Sequence, residues 1–332
     1  MRRVALLTIA PVLALAAHRA DARPNDDASR DSFWRDVVEP HHAEVDALVA
    51  QVRAALSDLD SSELSDVTPP PSARIELARD LVGVLAYAHR LEPDNLDVLH
   101  MLADAADDAG DAARAHDALA AIVKLAGEEH AGADALDRLG AAAIDTGKLD
   151  EAIRVLRIAQ GPVLGGVPAT AHVLVHLSTA LALAGRSGDA IDVLAVAQPS
   201  SNMFELSEAA LVELALAVQY DREEQRGAAF DVLERMKVAL GDQLAPVLQN
   251  ALAKMRFAPA EDERYYRALM DEVVGDLPEA RTEWLLYAAD EGAPYRRRAL
   301  DHARAIDAMP PARKQPSLPQ LTVPPPNPGA IP

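Results

Sequence analysis

Leu136 to Ala159 reads LDRLGAAAIDTGKLDEAIRVLRIA. Leu136, Leu139, Ala143 and Ile144 fall at helical spacing, and a second apolar stripe follows at Ala152, Ile153, Leu156 and Ala159. Gly147 interrupts the pattern where the chain has to turn. The stretch therefore predicts two short helices folded back on each other. Gly140 and Ala152 are small, so the two backbones are expected to approach to the short end of the usual range, about 8–10 Å.

The same layout recurs along the chain. A Leu-small pair stands at Leu102-Ala103, Leu139-Gly140, Leu177-Ser178 and Leu216-Ala217, with Arg267-Ala268 as a weaker fifth. Twelve residues after each small position stands Ala115, Ala152, Ala190, Ala229 or Ala280. Four residues further come Leu119, Leu156, Leu194, Leu233 and Trp284, and three beyond those Ile122, Ala159, Ala197, Met236 and Tyr287. Gly110, Gly147, Gly185 and Gly275 hold the turn position, and only Glu224 departs. The small positions are 37, 38, 39 and 51 residues apart, and the interval before the last unit leaves room for an additional helix near Asp242 to Phe257.

This arrangement resembles a tetratricopeptide (TPR) repeat, with Leu139-Gly140 on a first helix, Ala152-x3-Leu156 on a second and Ala159 after it. The resemblance covers residues 73–290 and implies an all-α fold, an α-solenoid of antiparallel helix pairs with irregular spacing. In that family the first helices of successive units line a groove that binds peptides or partner helices. Carried onto this sequence, the groove positions are Asp97, His100, Asp104, Asp107 and Asp108, then Asp137 and Asp145 with Ala141 between them. Members that clamp a peptide carboxylate use Lys, Arg and Asn at such places. The acidic residues here imply a basic protein or peptide partner instead. Further along, the mapped positions are apolar: Val175, Leu183, Leu211, Leu214 and Val218.

Composition agrees with helices. Half of the 332 residues are hydrophobic but only 4% are aromatic, so burial relies on Ala, Leu and Val, and no period-2 run bounded by turn residues stands out. The expected organisation is a signal peptide over 1–22, an N-terminal helix and Pro-rich linker over 23–72, the solenoid over 73–308 and a Pro-rich tail over 309–332. Arg2 and Arg3, the apolar run Val4–Ala17 and the small-x-small site Ala20-Asp21-Ala22 are the three regions of a secretory signal. Fourteen apolar residues are too few to cross about 30 Å of hydrocarbon, so no stable membrane insertion is expected after cleavage. Export, to the periplasm or beyond a bacterial cell, is the expected localisation. There is no Cys, hence no disulfide and no lipid attachment through Cys.

In the N-terminal region, Ser32–Leu59 has a helical stripe that Pro40 should kink or break, and Ser61 to Ser72 reads as a linker closed by Pro69-Pro70-Pro71. Ala73 to Leu91 is one helix, which Pro93 ends. Tyr295 to Ala308, with Arg296, Arg297 and Arg298 as a basic face, should cap the array. The last 23 residues hold nine Pro and should be extended.

Removing residues 1–22 takes away three Arg and one Asp, so a net charge of −20 becomes −22. Such a surface disfavours nucleic acid and anionic lipid and suits a basic or neutral partner. Catalytic patterns are lacking. Lys148 follows Gly147 as in a phosphate loop, but Ala142 and Leu149 replace the required Gly and Ser/Thr. His172 and His176 share a helix face, as zinc ligands can, yet Val173 stands where a metalloprotease carries Glu. A metal-dependent enzyme using His172 and His176 is thus the remotest of three readings. The first is an exported interaction scaffold of the bacterial envelope, with no catalysis, cofactor or metal. The second is an accessory or regulatory subunit of an envelope enzyme or assembly machine.

Overall fold

The computed structural model describes residues 40–63, 71–161, 170–196 and 206–309. These residues form α-helices joined by turns, with no β-strand among them. They fall into two compact units, residues 1–146 and 147–332. The boundary lies at the Gly147 turn, so the two helices of the Leu136–Ala159 stretch belong to different units.

Unit 1 contains α1 (His42–Glu63), α2 (Pro71–Leu91), α3 (Leu96–Ala109), α4 (Ala112–Ala126) and α5 (Ala133–Asp145), each packed on the next. Pro40 breaks the expected N-terminal helix rather than kinking it: α1 starts two residues later, because proline has no N–H to give and cannot continue a helix from upstream. The stripe residues before Pro40 lie outside the described residues. The linker expected over 61–72 is shorter than its composition suggested, since α1 runs on to Glu63 and α2 begins at Pro71. Pro71 occupies the first helical position, where a missing N–H costs nothing. Asn95 caps α3 by accepting from the Val98 N–H at 3.2 Å, and Asp111 caps α4 by accepting from Arg114 at 3.1 Å.

Unit 2 contains α6 (Leu149–Gln160), α7 (Ala171–Leu183), α8 (Ser187–Val196), α9 (Leu206–Arg222), α10 (Arg226–Leu240), a 3₁₀ turn (Gly241–Gln243), α11 (Leu244–Lys254), α12 (Asp262–Val274), α13 (Leu277–Ala289) and α14 (Arg296–Asp307). The additional helix expected near Asp242–Phe257 is the 3₁₀ turn with α11. Consecutive helices pack in pairs, and α9 also touches α7, α11 and α12. That central position follows from its sequence: from Ala209 to Val218 α9 offers almost no polar face, so neighbours cover it on several sides.

The turns within pairs share one chemistry. Gly110, Gly185 and Gly275 have φ of 72, 75 and 91°, and the N–H after each reaches back to the carbonyl of Ala106, Leu181 or Asp271 at 2.8 Å. These are left-handed helix terminations that return the chain along its own helix. Glu224 has φ 56°, and Gln225 closes the same bond to Tyr220 at 2.9 Å. The repeat positions are core: Ala115, Ala152, Ala190, Ala229 and Ala280 are buried, as are Leu119, Leu156, Leu194 and Trp284, while Leu233 is half-buried.

Candidate functional site

The acidic residues that the repeat pattern singles out lie in unit 1. On α3, Asp97, His100, Asp104, Asp107 and Asp108 are separated by three, four, three and one residues, so they share one face. Asp97, His100, Asp104 and Asp108 are exposed and Asp107 is half-buried. On α5, Asp137 is half-buried and Asp145 exposed. The opposite face of α3, with Val98, Leu99, Leu102, Ala105 and Ala106, is core.

Two cations that the sequence pattern did not flag complete this face. Arg138 on α5 donates from Nη2 to Asp104 at 2.6 Å and to Asp107 at 3.0 Å. Arg53 on α1 donates to Asp97 at 3.2 Å. Burial works against the Arg138 charge, but the bond to Asp107 and the charges of Asp104 and Asp107 outweigh it and hold the guanidinium above its ordinary value. Arg53–Asp97 is exposed on both sides and contributes about 0–1 kcal/mol. The face is therefore a partly neutralised acidic surface, and a cation bridging two carboxylates already occupies one point on it.

Beside it lies a groove of about 60 Å³. Its apolar lining includes Val52, Leu77, Leu81 and Met101, and its charged lining residues are Asp104, Asp108 and Arg74. That volume holds a few waters or one apolar side chain rather than an organic cofactor.

The apolar groove positions expected further along are not a surface. Val175, Leu211, Leu214 and Val218 are buried in the core of unit 2, and Leu183 is half-buried. Unit 2 places its apolar first-helix residues inward because α9 is covered on several sides. His176 is buried, and its Nε2 lies 2.7 Å from the Arg256 carbonyl. A carbonyl only accepts, so that nitrogen carries a proton and offers no lone pair to a metal. Among the described residues no group of three or more His, Cys, Asp or Glu could hold a metal ion.

Unit 2 has a second cluster, which the sequence reading missed. Asp221, near the C-terminus of α9, is buried and accepts from Tyr265 Oη at 2.7 Å, from Arg298 Nε at 3.1 Å and from Arg298 Nη2. His302 on α14 lies between two carboxylates, its Nε2 2.9 Å from Asp221 and its Nδ1 2.8 Å from Glu272. The indole of Trp284 stacks on the imidazole at 4.4 Å and donates from Nε1 to Glu272 at 2.5 Å. Next to it, the buried Arg222 lies 2.7 Å from Asp262 and against the rings of Tyr265 and Tyr295, at 4.8 and 4.4 Å. Burial lifts the Asp262 carboxyl above its ordinary value and Arg222 offsets this only in part. Arg298, read with Arg296 and Arg297 as one basic face, is buried, whereas Arg296 and Arg297 are exposed. Burial alone would raise Asp221, but its bonds from His302 and Arg298 hold it well below the carboxylate range. Burial likewise opposes charge on His302, and the bonds to Asp221 and Glu272 outweigh it, raising the group to about 9.

No known family model matches the sequence, and comparison with curated proteins found no match.

Proposed function

We propose that this chain is an exported, TPR-like α-solenoid that serves as a non-catalytic interaction scaffold of the bacterial cell envelope and binds a basic segment of a partner protein on unit 1. The observation that carries this reading is the acidic face of α3 next to the apolar groove. Asp104 and Asp108 line it together with Leu77, Leu81 and Met101, which suits a segment that brings one apolar side chain flanked by Lys or Arg. Arg138 already shows the bonding such a partner would use, one guanidinium shared by two carboxylates. The repeated left-handed turns and the buried Ala-Leu pairs support the helical-repeat reading. The regions of the signal peptide and of the Pro-rich tail lie outside the described residues, and no helix among the described residues is long and apolar enough to cross a membrane.

The test is capture from envelope extract on immobilised protein, followed by association kinetics with the captured partner at rising salt. Binding is expected to weaken as salt screens the face over about 8–10 Å. Reversing Asp104 and Asp137 to Lys is expected to slow association more than it speeds release. A partner whose binding ignores both salt and these reversals overturns the reading. N-terminal sequencing of the exported protein tests cleavage after Ala22.

A further inference from the structure

His302 is held in a way that fixes its protonation by geometry. Carboxylates only accept, and each ring nitrogen has one within hydrogen-bond distance, Asp221 on α9 at Nε2 and Glu272 on α12 at Nδ1. Both nitrogens must then donate, so the ring is an imidazolium. Its side chain is 12% exposed. Trp284 of α13 covers one face of the ring. Tyr265 of α12 and Arg298 of α14 share the Asp221 carboxylate, and Asp301 of α14 pairs with Arg304 at 3.1 Å. One protonated side chain thus ties α14 to two helices and closes it over a third.

We infer that α14 is a proton-held latch: the doubly bonded His302 imidazolium fixes its middle to α9 and α12, and loss of that proton loosens the middle of the helix from the core around Trp284 while the rest of unit 2 stays folded. A neutral imidazole keeps one N–H and gains one lone pair. Whichever nitrogen loses its proton then presents that lone pair to a carboxylate. Asp221 keeps Arg298 and Tyr265, and Glu272 keeps Trp284, but the link from α14 to α12 or to α9 through the ring is cut. Other ties of α14 are independent of this proton: near its start Arg298 keeps its buried bonds to Asp221 of α9 and Arg296 donates to the Ala288 carbonyl of α13 at 2.8 Å, and near its end Asp307 accepts from Arg281 of α13 at 2.6 Å, on the surface. The helix is therefore held near both ends and switched near its middle. Loosening there lets water reach Trp284, which is fully buried when the latch is closed. The neighbouring phenols do not confuse the titration, because burial holds Tyr265, Tyr266 and Tyr287 above the usual tyrosine range.

The full-length protein carrying Trp34→Phe has Trp284 as its only indole. Hydrogen exchange, corrected for the intrinsic pH dependence, is followed segment by segment from about pH 7 to about pH 10, alongside Trp284 fluorescence and the His302 NMR titration. The amides of α14 are expected to lose at least about tenfold of their protection relative to those of α12, with the midpoint of His302 and a red shift of Trp284 emission. His302→Gln cannot take up the proton, so its α14 is expected to be less protected than that of the wild type already at neutral pH, and flat with pH. Protection of α14 that tracks α12 through the His302 midpoint overturns the latch, as does loss of protection throughout unit 2 together, or wild-type protection in His302→Gln. If that variant does not fold, the titration of the protein bearing only Trp34→Phe decides by itself.

Discussion

Asp221 and Arg222 are neighbours at the end of α9, and opposite charges draw each into the interior: Arg298 and His302 around the first, Asp262 beside the second. A buried charge is tolerable only when paired, so removing one partner costs far more than the pair contributes. Arg298→Ala leaves Asp221 with His302 and Tyr265 alone and is expected to lower the stability of unit 2 by about 3 kcal/mol, measured by urea denaturation. A loss within the range of ordinary surface substitutions would show that the interior charge is hydrated. Glu224 occupies the left-handed turn position that glycine holds in the other turns, and its contact with Arg297 is long, 3.6 Å, and exposed. Left-handed backbone costs a non-glycine residue about 1–2 kcal/mol. Gly185→Ala is thus expected to lower stability by about 1 kcal/mol, and Glu224→Gly to leave it unchanged or raise it by up to about 1 kcal/mol, since the added chain entropy of glycine offsets part of the relief. Thermal melts in which both signs are reversed would refute this account of the turns.

Among the helices, α5 and α9 show how small residues and apolar runs place an element. Gly140 is buried within α5, flanked by the buried Leu139, Ala141, Ala142 and Ala143. A helix this poor in side-chain volume is held by close packing. Gly140→Leu is therefore expected to overpack it and cost about 1–3 kcal/mol, read from thermal unfolding; unchanged stability would mean that space lies open beside Gly140. The contrasting case is α3, apolar on one side and acidic on the other. Its exposed side carries the proposed binding residues because nothing in unit 1 needs them for packing. Arg138→Ala is expected to free Asp104 and Asp107 and to speed association with a basic partner at low salt, with little change in stability; slower association would make Arg138 part of the binding surface.

At the level of the whole chain, the titrations set a pH window. Asp221 is depressed, so its contribution is present above the unfolded aspartate value, near 4, and is lost as pH falls through its folded value. His302 is raised, so its contribution is present below its unfolded value of 6.5 and is lost as pH rises through about 9. Asp271 works the other way: burial raises it to about 6, so the folded state loses some advantage as pH climbs to that value. Calorimetry is expected to give a higher Tm near pH 5–6 than near pH 9.5, by a linkage of at most about 3 kcal/mol from His302. Equal melting temperatures at the two pH values would show that the imidazole is not held as the geometry indicates.

The all-helical class was legible in the sequence, because apolar periodicity and turn glycines are local signals, and the turn at Glu224 kept its place even without glycine. The helices read at Ala73–Leu91, Asp242–Phe257 and Tyr295–Ala308 lie within a few residues of those found, whereas the N-terminal helix and the linker around proline differ. The acidic residues of α3 were picked out by the repeat resemblance, and their spacing puts them on one side of the helix. What only the tertiary structure decided is which charges are neutralised. Arg138 reaches Asp104 across 34 residues, Arg298 reaches Asp221 across 77 and His302 across 81. No periodicity encodes such pairs. Three arginines in a row look like a solvated face until α14 docks and turns Arg298 inward. Tertiary packing also made core of Val175, Leu211, Leu214 and Val218, since whether an apolar position lines a groove or an interior depends on the helix that covers it.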